Sequence, residues 1–459
     1  MIYTRDDETI IAQCTPRGSG AIALLRFSGV NAIAVADAMS KLPQGKRLID
    51  QLTHTIHYGF VVDREGKHLD QVLFLVMRAP ATFTGQDTVE ITCHNNQFLI
   101  ESILREAIKH GARSAQEGEF SRRAYLQGKI DLTQAEAIDE LIHANSEFAL
   151  KKSLAQVEGS FSSFVQLLEK QLVKAIAWCE ASFEFLDEGG DFVAEIREQL
   201  DLLLVQIAEL HASFGLQKHI REGIRIACIG SVNVGKSSLF NALLGQSRAI
   251  VADVAGTTRD SIESGLYRNG IYWTLIDTAG LRQTDDYIEQ AGIERSQSEA
   301  RQADVIILAF DGSRALTAEE TAVYDELIAA HGKKIIPVIT KADLPQVCKH
   351  PWLLEQAGIA VAHLVGVGIV ELLEELDRTV AQLLQAHEAP FLVNKRQFQL
   401  LQRLEKNIQA TRELCGADVQ YELVAQQLKD ALESLSELTG KSVSEAALDA
   451  VFKEFCVGK

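Results

Sequence analysis

The sequence has 459 residues, of which 47% are hydrophobic and 24% are charged, and its formal net charge is −18. This length allows roughly two to four domains, because single hydrophobic cores seldom grow past about 250 to 300 residues. The acidic balance excludes a broad electrostatic footprint for nucleic acid, so any RNA contact has to be local or assisted by a partner.

We expect neither export nor membrane insertion. The longest apolar stretches, such as Val305 to Phe310, are far too short to span a bilayer. Residues 1–8 lack the basic and apolar regions of a secretory signal. The seven cysteines are scattered and never spaced C-x-x-C, which argues against a disulfide framework and against a zinc site. The sequence therefore predicts a cytoplasmic protein with free thiols.

The first 120 residues mix short apolar runs with Gly, Pro and Asp turns, and they predict an N-terminal α+β domain. The runs are Ala21 to Phe27, Val72 to Met77 and Val89 to Cys93. Residues 121–220 then show apolar side chains at helical spacing, at Ile196, Leu200, Leu203, Leu204, Ile207 and Leu210. Helical periodicity returns in residues 386–459, with a last helix predicted from about Ser442 to Phe455.

Residues 221–385 alternate strand-like runs with helical stretches. The runs are Ile224 to Ile229, Trp273 to Ile276, Val305 to Phe310 and Ile335 to Ile339. This alternation predicts a doubly wound α/β domain with a parallel sheet covered on both faces. Either flanking helical segment would bury its apolar face poorly alone, so we expect one helical domain with the α/β domain inserted into it.

A phosphate-binding loop follows the first of these strands and precedes a helical stretch. Residues 230–237 fit G-x-x-x-x-G-K-[ST]. Glycines let backbone N–H groups wrap the phosphates, Lys236 neutralises the outer phosphates, and the Ser237 hydroxyl reaches Mg²⁺. A glycine-rich turn with a solvated lysine is the alternative, but it leaves the flanking strand and helix unexplained. The predicted contacts are Gly230, Asn233, Val234, Gly235, Lys236, Ser237 and Ser238.

Further segments follow in the order that a GTPase needs. Asp277 ends a strand, where it can reach the Mg²⁺ shell, and the Gly280 N–H can reach the γ-phosphate. Thr258 is a suitable second Mg²⁺ ligand in a loop ordered by triphosphate. The Asp343 carboxylate can accept two hydrogen bonds from guanine, which selects GTP over ATP. The other predicted nucleotide contacts are Ala252, Asp253, Val254, Ala255, Gly256, Thr257, Thr278, Ala279, Thr340, Lys341 and Ala342.

Two departures from common GTPase motifs concern the base. Thr340 stands where Asn is more usual, which predicts a weaker contact toward the base and the phosphate loop. The usual Ser-Ala-Lys loop is missing, and Val361 to Gly368 is the candidate equivalent. Both changes fit modest guanine affinity, with dissociation constants in the micromolar range.

Hydrolysis has to be organised differently from Ras-like enzymes, because Leu281 stands where they place a water-orienting Gln. Asn233 and residues 252–257 offer oxygen ligands beside the phosphates. A monovalent cation bound there could replace an arginine finger. The alternative for Asn233 is a side chain that only stabilises the loop.

Over nearly its full length the chain resembles the MnmE (TrmE) family of tRNA-modification GTPases. The resemblance rests on residues 15–20, 25–29, 84–90, 118–137 and the terminal Phe455-Cys456-Val457-Gly458-Lys459. It implies a homodimer that forms a heterotetramer with FAD-containing MnmG (GidA). Together they would add an aminomethyl or carboxymethylaminomethyl group to carbon 5 of the wobble uridine of certain tRNAs. The carbon would come from 5-formyl- or 5,10-methylene-tetrahydrofolate.

The resemblance also implies roles for single residues. Folate-contacting positions map onto Arg26, Glu90, Lys129 and Lys459, and potassium ligands onto Asn233, Thr257 and the carbonyls of Ala252 and Val254. In hydrolysis, Lys236 and Thr258 act beside Glu289, which would orient the attacking water across dimerised GTPase domains. Cys456 maps onto a cysteine linked to the modification chemistry. Without the resemblance, charged residues such as Arg26 or Glu289 would be ordinary surface charges.

Two expectations about geometry follow from the resemblance. The family's His-Gly-Gly is here His94-Asn95-Asn96, and Asn can partly replace glycine if those positions need φ > 0. If the folate residues converge on one ligand, the C-terminal helix has to return to the N-terminal domain. We expect that return to run across the homodimer.

The competing hypothesis is a ribosome-assembly GTPase of the Era or Der kind. Such proteins share the phosphate loop and a hydrophobic residue like Leu281, but they typically add a basic RNA-binding domain, and no segment here is strongly basic. The terminal Cys456 to Lys459 and the folate-like residues favour the tRNA-modifying enzyme. A membrane-anchored signalling GTPase is disfavoured, because Cys-Val-Gly-Lys is a poor prenylation signal.

Overall fold

The computed structural model describes residues 8–184, 192–246, 262–277, 297–362, 366–384, 391–416 and 419–458. The chain divides into two compact units. Unit 1 comprises Met1–Asp139, Ala155–Leu204 and Gln399–Lys459, and unit 2 comprises Glu140–Leu154 and Val205–Phe398. Within the described ranges, every helix is too short or too polar to cross a membrane.

Unit 1 begins with a mainly antiparallel sheet. In the described part of the chain it has seven strands, in the order β3-β4-β5-β6-β2-β1-β7, and only β7 pairs in parallel, with β1. The strands are β1 (Ile10–Gln13), β2 (Ile22–Ser28), β3 (Ser40–Lys41), β4 (Thr55–Val62), β5 (His68–Met77), β6 (Thr88–His94) and β7 (Arg113–Ser114).

Period-two alternation places the core on one face of this sheet. On β5, Val72, Phe74 and Val76 are buried, whereas the intervening Leu73 is 44% exposed. Helices α1 (Ala32–Ala38) and α2 (Gln97–Lys109) cover the buried face. The three apolar runs predicted in this domain are confirmed as β2, β5 and β6.

The two asparagines after β6 have a different role from the one expected. Asn96 has φ −123° and caps α2, accepting hydrogen bonds from the Phe98 and Leu99 amides. Asn95 also lies outside the positive-φ region, and its amide donates to the Gly18 carbonyl at 2.9 Å. The condition for that replacement is therefore not met, because neither asparagine has a positive φ, and helix capping and a loop contact explain both residues.

Long helices follow, as the periodicity predicted. They are α3 (Glu119–Leu126), α4 (Leu132–Ile142), α5 (Glu147–Val157), α6 (Ser160–Glu184), α7 (Val193–Glu222), α12 (Lys395–Leu414), α13 (Tyr421–Thr439) and α14 (Glu445–Phe452). In unit 1, α6 packs along α13. The apolar stripe predicted on α7 is confirmed, with Ile196, Leu200, Leu203 and Ile207 buried. The last helix is shorter than predicted, because Ser444 caps its start.

Unit 2 contains the doubly wound domain. Among its described residues the sheet order is β13-β12-β11-β8-β10-β9, parallel except for the β9–β10 pair. Its strands are β8 (Ile224–Gly230), β9 (Ile262–Arg268), β10 (Ile271–Asp277), β11 (Val305–Asp311), β12 (Ile335–Thr340) and β13 (Ile359–Ala360), and its helices include α8 (Lys236–Gln246), α9 (Ala318–His331), α10 (Pro351–Glu355) and α11 (Ile369–Leu384).

Separate apolar clusters lie on the two faces of this sheet. Ile226 and Cys228 of β8 pack with α8 and α11, whereas Ala227 and Ile229 pack with α9 and α10. A strand buried on both faces explains the unbroken apolar run that predicted it. The predicted fold class is confirmed: an N-terminal α+β domain, helical segments and an inserted doubly wound domain.

Candidate functional site

The phosphate loop joins β8 to α8 at the carboxyl edge of the sheet, where parallel α/β domains bind ligands. Two of its glycines are required by geometry. A Cβ at Gly230 would lie 2.7 Å from the Ala309 carbonyl oxygen, and Gly235 has φ +101°. Asn233, with φ +59°, is the kind of residue that tolerates the left-handed region. This conformation agrees with the loop-stabilising interpretation of Asn233 and is compatible with its use as a cation ligand.

The side chain of Lys236 is buried within the phosphate loop. Its ammonium donates hydrogen bonds to the Gly230 and Ser231 carbonyls, both at 2.8 Å. Burial lowers the pKa of Lys236, while Cys228 and Asp277 act in the opposite direction. The ammonium is thus held at the loop's centre by backbone oxygens.

The two predicted Mg²⁺-shell residues lie together. The Ser237 hydroxyl donates to an Asp277 carboxylate oxygen at 2.8 Å, and Asp277 is buried at the end of β10. A hydroxyl and a carboxylate are hard oxygen donors of the kind that Mg²⁺ prefers beside phosphates. The donor set therefore fits the predicted ion.

The base-recognition segment, as we call the predicted base-contacting residues Thr340 to Asp343, contacts the phosphate loop directly. The Thr340 hydroxyl donates to the Val234 carbonyl at 2.5 Å, so Thr340 keeps a direct contact with this loop. The Lys341 ammonium lies 2.6 Å from Asp311, and the Ala342 amide donates to the Val361 carbonyl at 3.2 Å. Asp343 is exposed at the end of the segment. The stretch beginning at Val361 thus lies beside the base-recognition segment.

The residues proposed for folate separate into two groups. Arg26 on β2 and Glu90 on β6 are register partners, and their side chains form an ion pair at 2.8 Å. The Arg26 guanidinium also lies over the Phe120 ring, 5.7 Å from its centroid. Lys129 instead donates to the Pro80 carbonyl at 2.5 Å. The structure joins Arg26 with Glu90 and directs Lys129 to a different partner.

The C-terminal tail returns to the N-terminal domain within one chain. The Gly118 amide donates to the Cys456 carbonyl, Val457 pairs with Glu117, and Gly458 lies against Gln13 and Cys14. The expectation that this return crosses a homodimer is therefore wrong, because short-range backbone contacts make it intramolecular. Cys456 itself is exposed.

The tail ends beside the strand that neighbours Arg26. Ala12 of β1 is the register partner of Arg26, two residues before Cys14. Burial raises the pKa of the Cys14 thiol, and the nearby charges of Arg26 and Glu90 act on it in opposite directions. Cys14 is a site neighbour that no motif indicated.

Several motif residues of unit 1 form a buried network with their neighbours. Arg123 is fully buried and donates to Glu119, Gln86 and the Ser28 carbonyl. Arg113 binds Glu119 from the other side at 2.6 Å. This part of the family motif stabilises the domain, which sequence reasoning did not distinguish from binding.

Some predicted site residues lie outside the described ranges. They are Ala252, Asp253, Val254, Ala255, Gly256, Thr257, Thr258, Thr278, Ala279, Gly280, Glu289 and Lys459, together with residues 363–365.

Comparisons with known proteins cover nearly the whole chain. The MnmE helical domain family matches residues 132–456, and the N-terminus of the GTP-binding protein TrmE matches residues 9–129. The chain is 37% identical to the tRNA modification GTPase MnmE of Geobacillus kaustophilus, over 98% of this chain and 99% of that protein. It is also 37% identical to the MnmE of Aquifex aeolicus, over 98% and 100%. The solved G domain of the FeoB iron transporter of T. maritima is 25% identical, covering 35% of this chain and 98% of that one, with a TM-score of 0.25.

Proposed function

The chain belongs to the MnmE family of tRNA modification GTPases, and we propose the reaction that it serves within that role. It is a GTP-hydrolysing enzyme of tRNA modification. With an FAD-containing partner of the MnmG (GidA) type, it adds an aminomethyl or carboxymethylaminomethyl group to carbon 5 of the wobble uridine of certain tRNAs. A 5-formyl- or 5,10-methylene-tetrahydrofolate bound near Arg26 and Glu90 supplies the carbon.

One observation carries this proposal: the C-terminal tail lies against Gln13 and Cys14 at the end of β1, and β1 pairs with the strand that carries Arg26, the partner of Glu90. An arginine and a carboxylate held together on adjacent strands suit a ligand with a glutamate tail and a pterin edge. Match over the full length to tRNA modification relatives favours this function over a ribosome-assembly GTPase. Mass spectrometry of wobble nucleosides from a deletion strain tests it. Loss of the carbon-5 group is expected, and an unchanged profile would overturn the proposal.

The outer face of the unit 1 sheet supports a homodimer. Ile22, Ile56 and Tyr58 are 62%, 63% and 45% exposed on the face opposite the core, the same face that carries Arg26 and Glu90. A sheet face with exposed apolar side chains is suited to be covered by a second copy of itself. Sedimentation should find a dimer that Tyr58→Glu dissociates; a wild-type monomer would contradict this.

Folate binding should depend on Arg26. Arg26→Ala removes the guanidinium and leaves Glu90 and the ligand's carboxylate or pterin without a partner, which weakens binding by about 1 to 3 kcal/mol. Isothermal titration with 5-formyltetrahydrofolate measures this loss. Arg105→Ala, an exposed arginine of α2 that bonds only Ser102 among the contacts described for it, is the matched control. If Arg26→Ala and Arg105→Ala bound the folate equally well, Arg26 would not be part of the folate site.

Within the GTPase site, Asp343 selects guanine through two carboxylate acceptors. Asp343→Asn replaces one acceptor with an amide donor, so preference should shift from GTP toward xanthosine triphosphate. Competition binding with the two nucleotides measures the shift. Unchanged selectivity for GTP in this variant would contradict the assignment of Asp343 to guanine recognition.

We also propose that potassium takes part in hydrolysis. Asn233, Thr257 and the carbonyls of Ala252 and Val254 would hold K⁺, while Ser237 and Thr258 bind Mg²⁺ and Glu289 orients the water. Because Leu281 supplies no amide, GTP turnover should be strongly stimulated by K⁺ and little by Na⁺. Equal rates of GTP hydrolysis in K⁺ and Na⁺ salts would contradict the cation site, and Asn233 would then only stabilise the loop.

A further inference from the structure

A tyrosine behind the phosphate loop bonds to its second residue. Tyr324 of α9 is 2% exposed, and its ring packs edge-on against Phe310, with the centroids 4.8 Å apart. Its hydroxyl accepts a hydrogen bond from the Ser231 amide at 2.8 Å and donates one to the Ala309 carbonyl at 3.0 Å. One phenol therefore ties the start of the phosphate loop to strand β11.

An arginine reaches the same residue from the exposed side. The Arg314 guanidinium donates to the Ser231 hydroxyl at 3.3 Å and makes forked hydrogen bonds to both oxygens of Glu320, at 2.8 and 2.5 Å. Glu320 is itself fixed, because it forms a capping box with Thr317 at the start of α9. Hydrogen bonds from Arg314 lower the pKa of Glu320 to about 2, so this carboxylate remains ionised at neutral pH.

All three polar groups of Ser231 are therefore engaged. Its amide binds Tyr324, its hydroxyl binds Arg314, and its carbonyl accepts from the Lys236 ammonium. Residues 232–237 follow directly, so the orientation of the Ser231 peptide sets the path of the amides that face the phosphates. A loop that is ordered before binding avoids the entropy loss of ordering it around the ligand.

We propose that Tyr324 and Arg314 are positioning residues that preorganise the phosphate loop for nucleotide through Ser231. Neither belongs to the G-x-x-x-x-G-K-[ST] motif or to the other nucleotide-binding segments. They act on the loop and do not touch the phosphates. Their removal should raise the dissociation constant and KM for GTP more than it changes kcat, because bound nucleotide restores the loop.

Tyr324→Phe deletes the hydroxyl alone and leaves the partly buried Ser231 amide without its acceptor. Binding of a fluorescent GTP analogue to the full-length protein should weaken by about tenfold. KM should rise in parallel, and kcat should stay within about twofold. Tyr267→Phe, a hydroxyl deletion at an exposed position of β9, should bind like the wild type. A shift below threefold in Tyr324→Phe overturns the proposal for Tyr324, even if the melting temperature falls, because a purely structural role predicts that pattern.

A double-mutant cycle tests Arg314 independently of Tyr324, so the proposal for Arg314 can be decided even if Tyr324→Phe is too unstable to purify. Arg314→Gln should weaken nucleotide binding in the wild-type background. In a Ser231→Ala background it should have almost no further effect, because the hydroxyl through which it acts is gone. An equal loss in both backgrounds would show that Arg314 does not act through Ser231.

Discussion

Lys236→Ala should abolish measurable GTP binding and hydrolysis. The ammonium is buried among loop carbonyls, so alanine removes the positive charge that faces the phosphates and also the donor to Gly230 and Ser231. Truncating one partner of a buried, hydrogen-bonded charge pair weakens binding by about 2 to 5 kcal/mol, roughly 30-fold to several thousand-fold. Titration with a fluorescent nucleotide and a phosphate-release assay measure both losses.

Lys334→Ala is the matched control for this variant. Its ammonium also donates to a backbone carbonyl of unit 2, that of Ala303 at 3.0 Å, but it lies on the turn that precedes β12. The control should bind and hydrolyse GTP like the wild type. If Lys236→Ala kept an affinity within threefold of this control, Lys236 would have no part in phosphate binding.

Strands buried on both faces could be predicted from the sequence, whereas the edge strand could not. Strands β8, β10, β11 and β12 coincide with the predicted apolar runs, within a few residues at each end. Strand β9 contains Glu263, Ser264 and Gly265 and has no such run. Its pairing with β10 is supported by Tyr272, whose ring crosses over Gly265, a contact between strands that local patterns do not encode.

The sequence also did not predict which part of the structure each helix packs against. Helix α5 has the apolar spacing of its neighbours, yet its first residues belong to unit 2. Ser146 pairs with Ile271, and the Glu147 amide donates to the Gly270 carbonyl. Amphipathic periodicity shows that a helix has a buried face but does not identify what covers it.

For the nucleotide site, the sequence predicted contacts within a motif better than contacts between motifs. The loop, Lys236 and the Ser237–Asp277 pair follow from local spacing. Tyr324 lies 93 residues from Ser231, and a buried tyrosine on a helix has the same sequence signature as any core residue. The contact of Thr340 with Val234 is of the same kind, because it depends on the close approach of two segments beside Gly235.

Deleting residues 456–459 should leave GTP hydrolysis near the wild-type rate and end wobble-uridine modification. The tail contacts Gly118, Glu117 and Gln13 in unit 1, whereas the phosphate loop and its partners lie in unit 2. Phosphate release measures the first activity, and nucleoside mass spectrometry of a complemented strain measures the second. A strain with the shortened chain that still modifies its tRNA would contradict the role of the tail.

A substitution at Gly118 separates the position of the tail from its chemistry. Gly118 has φ +63°, and a Cβ there would lie 2.3 Å from the Phe452 carbonyl, so Gly118→Ala should displace the end of α14 while keeping Cys456 to Lys459 in the chain. Gly66→Ala is the control, because Gly66 has φ +78° and a Cβ there would meet no atom within 4 Å, so this variant shares only the backbone strain, about 1 kcal/mol. We expect Gly118→Ala to lose wobble-uridine modification while GTP hydrolysis persists, and Gly66→Ala to retain both. If the two variants modified tRNA equally, the docked position of the tail would be irrelevant to the reaction.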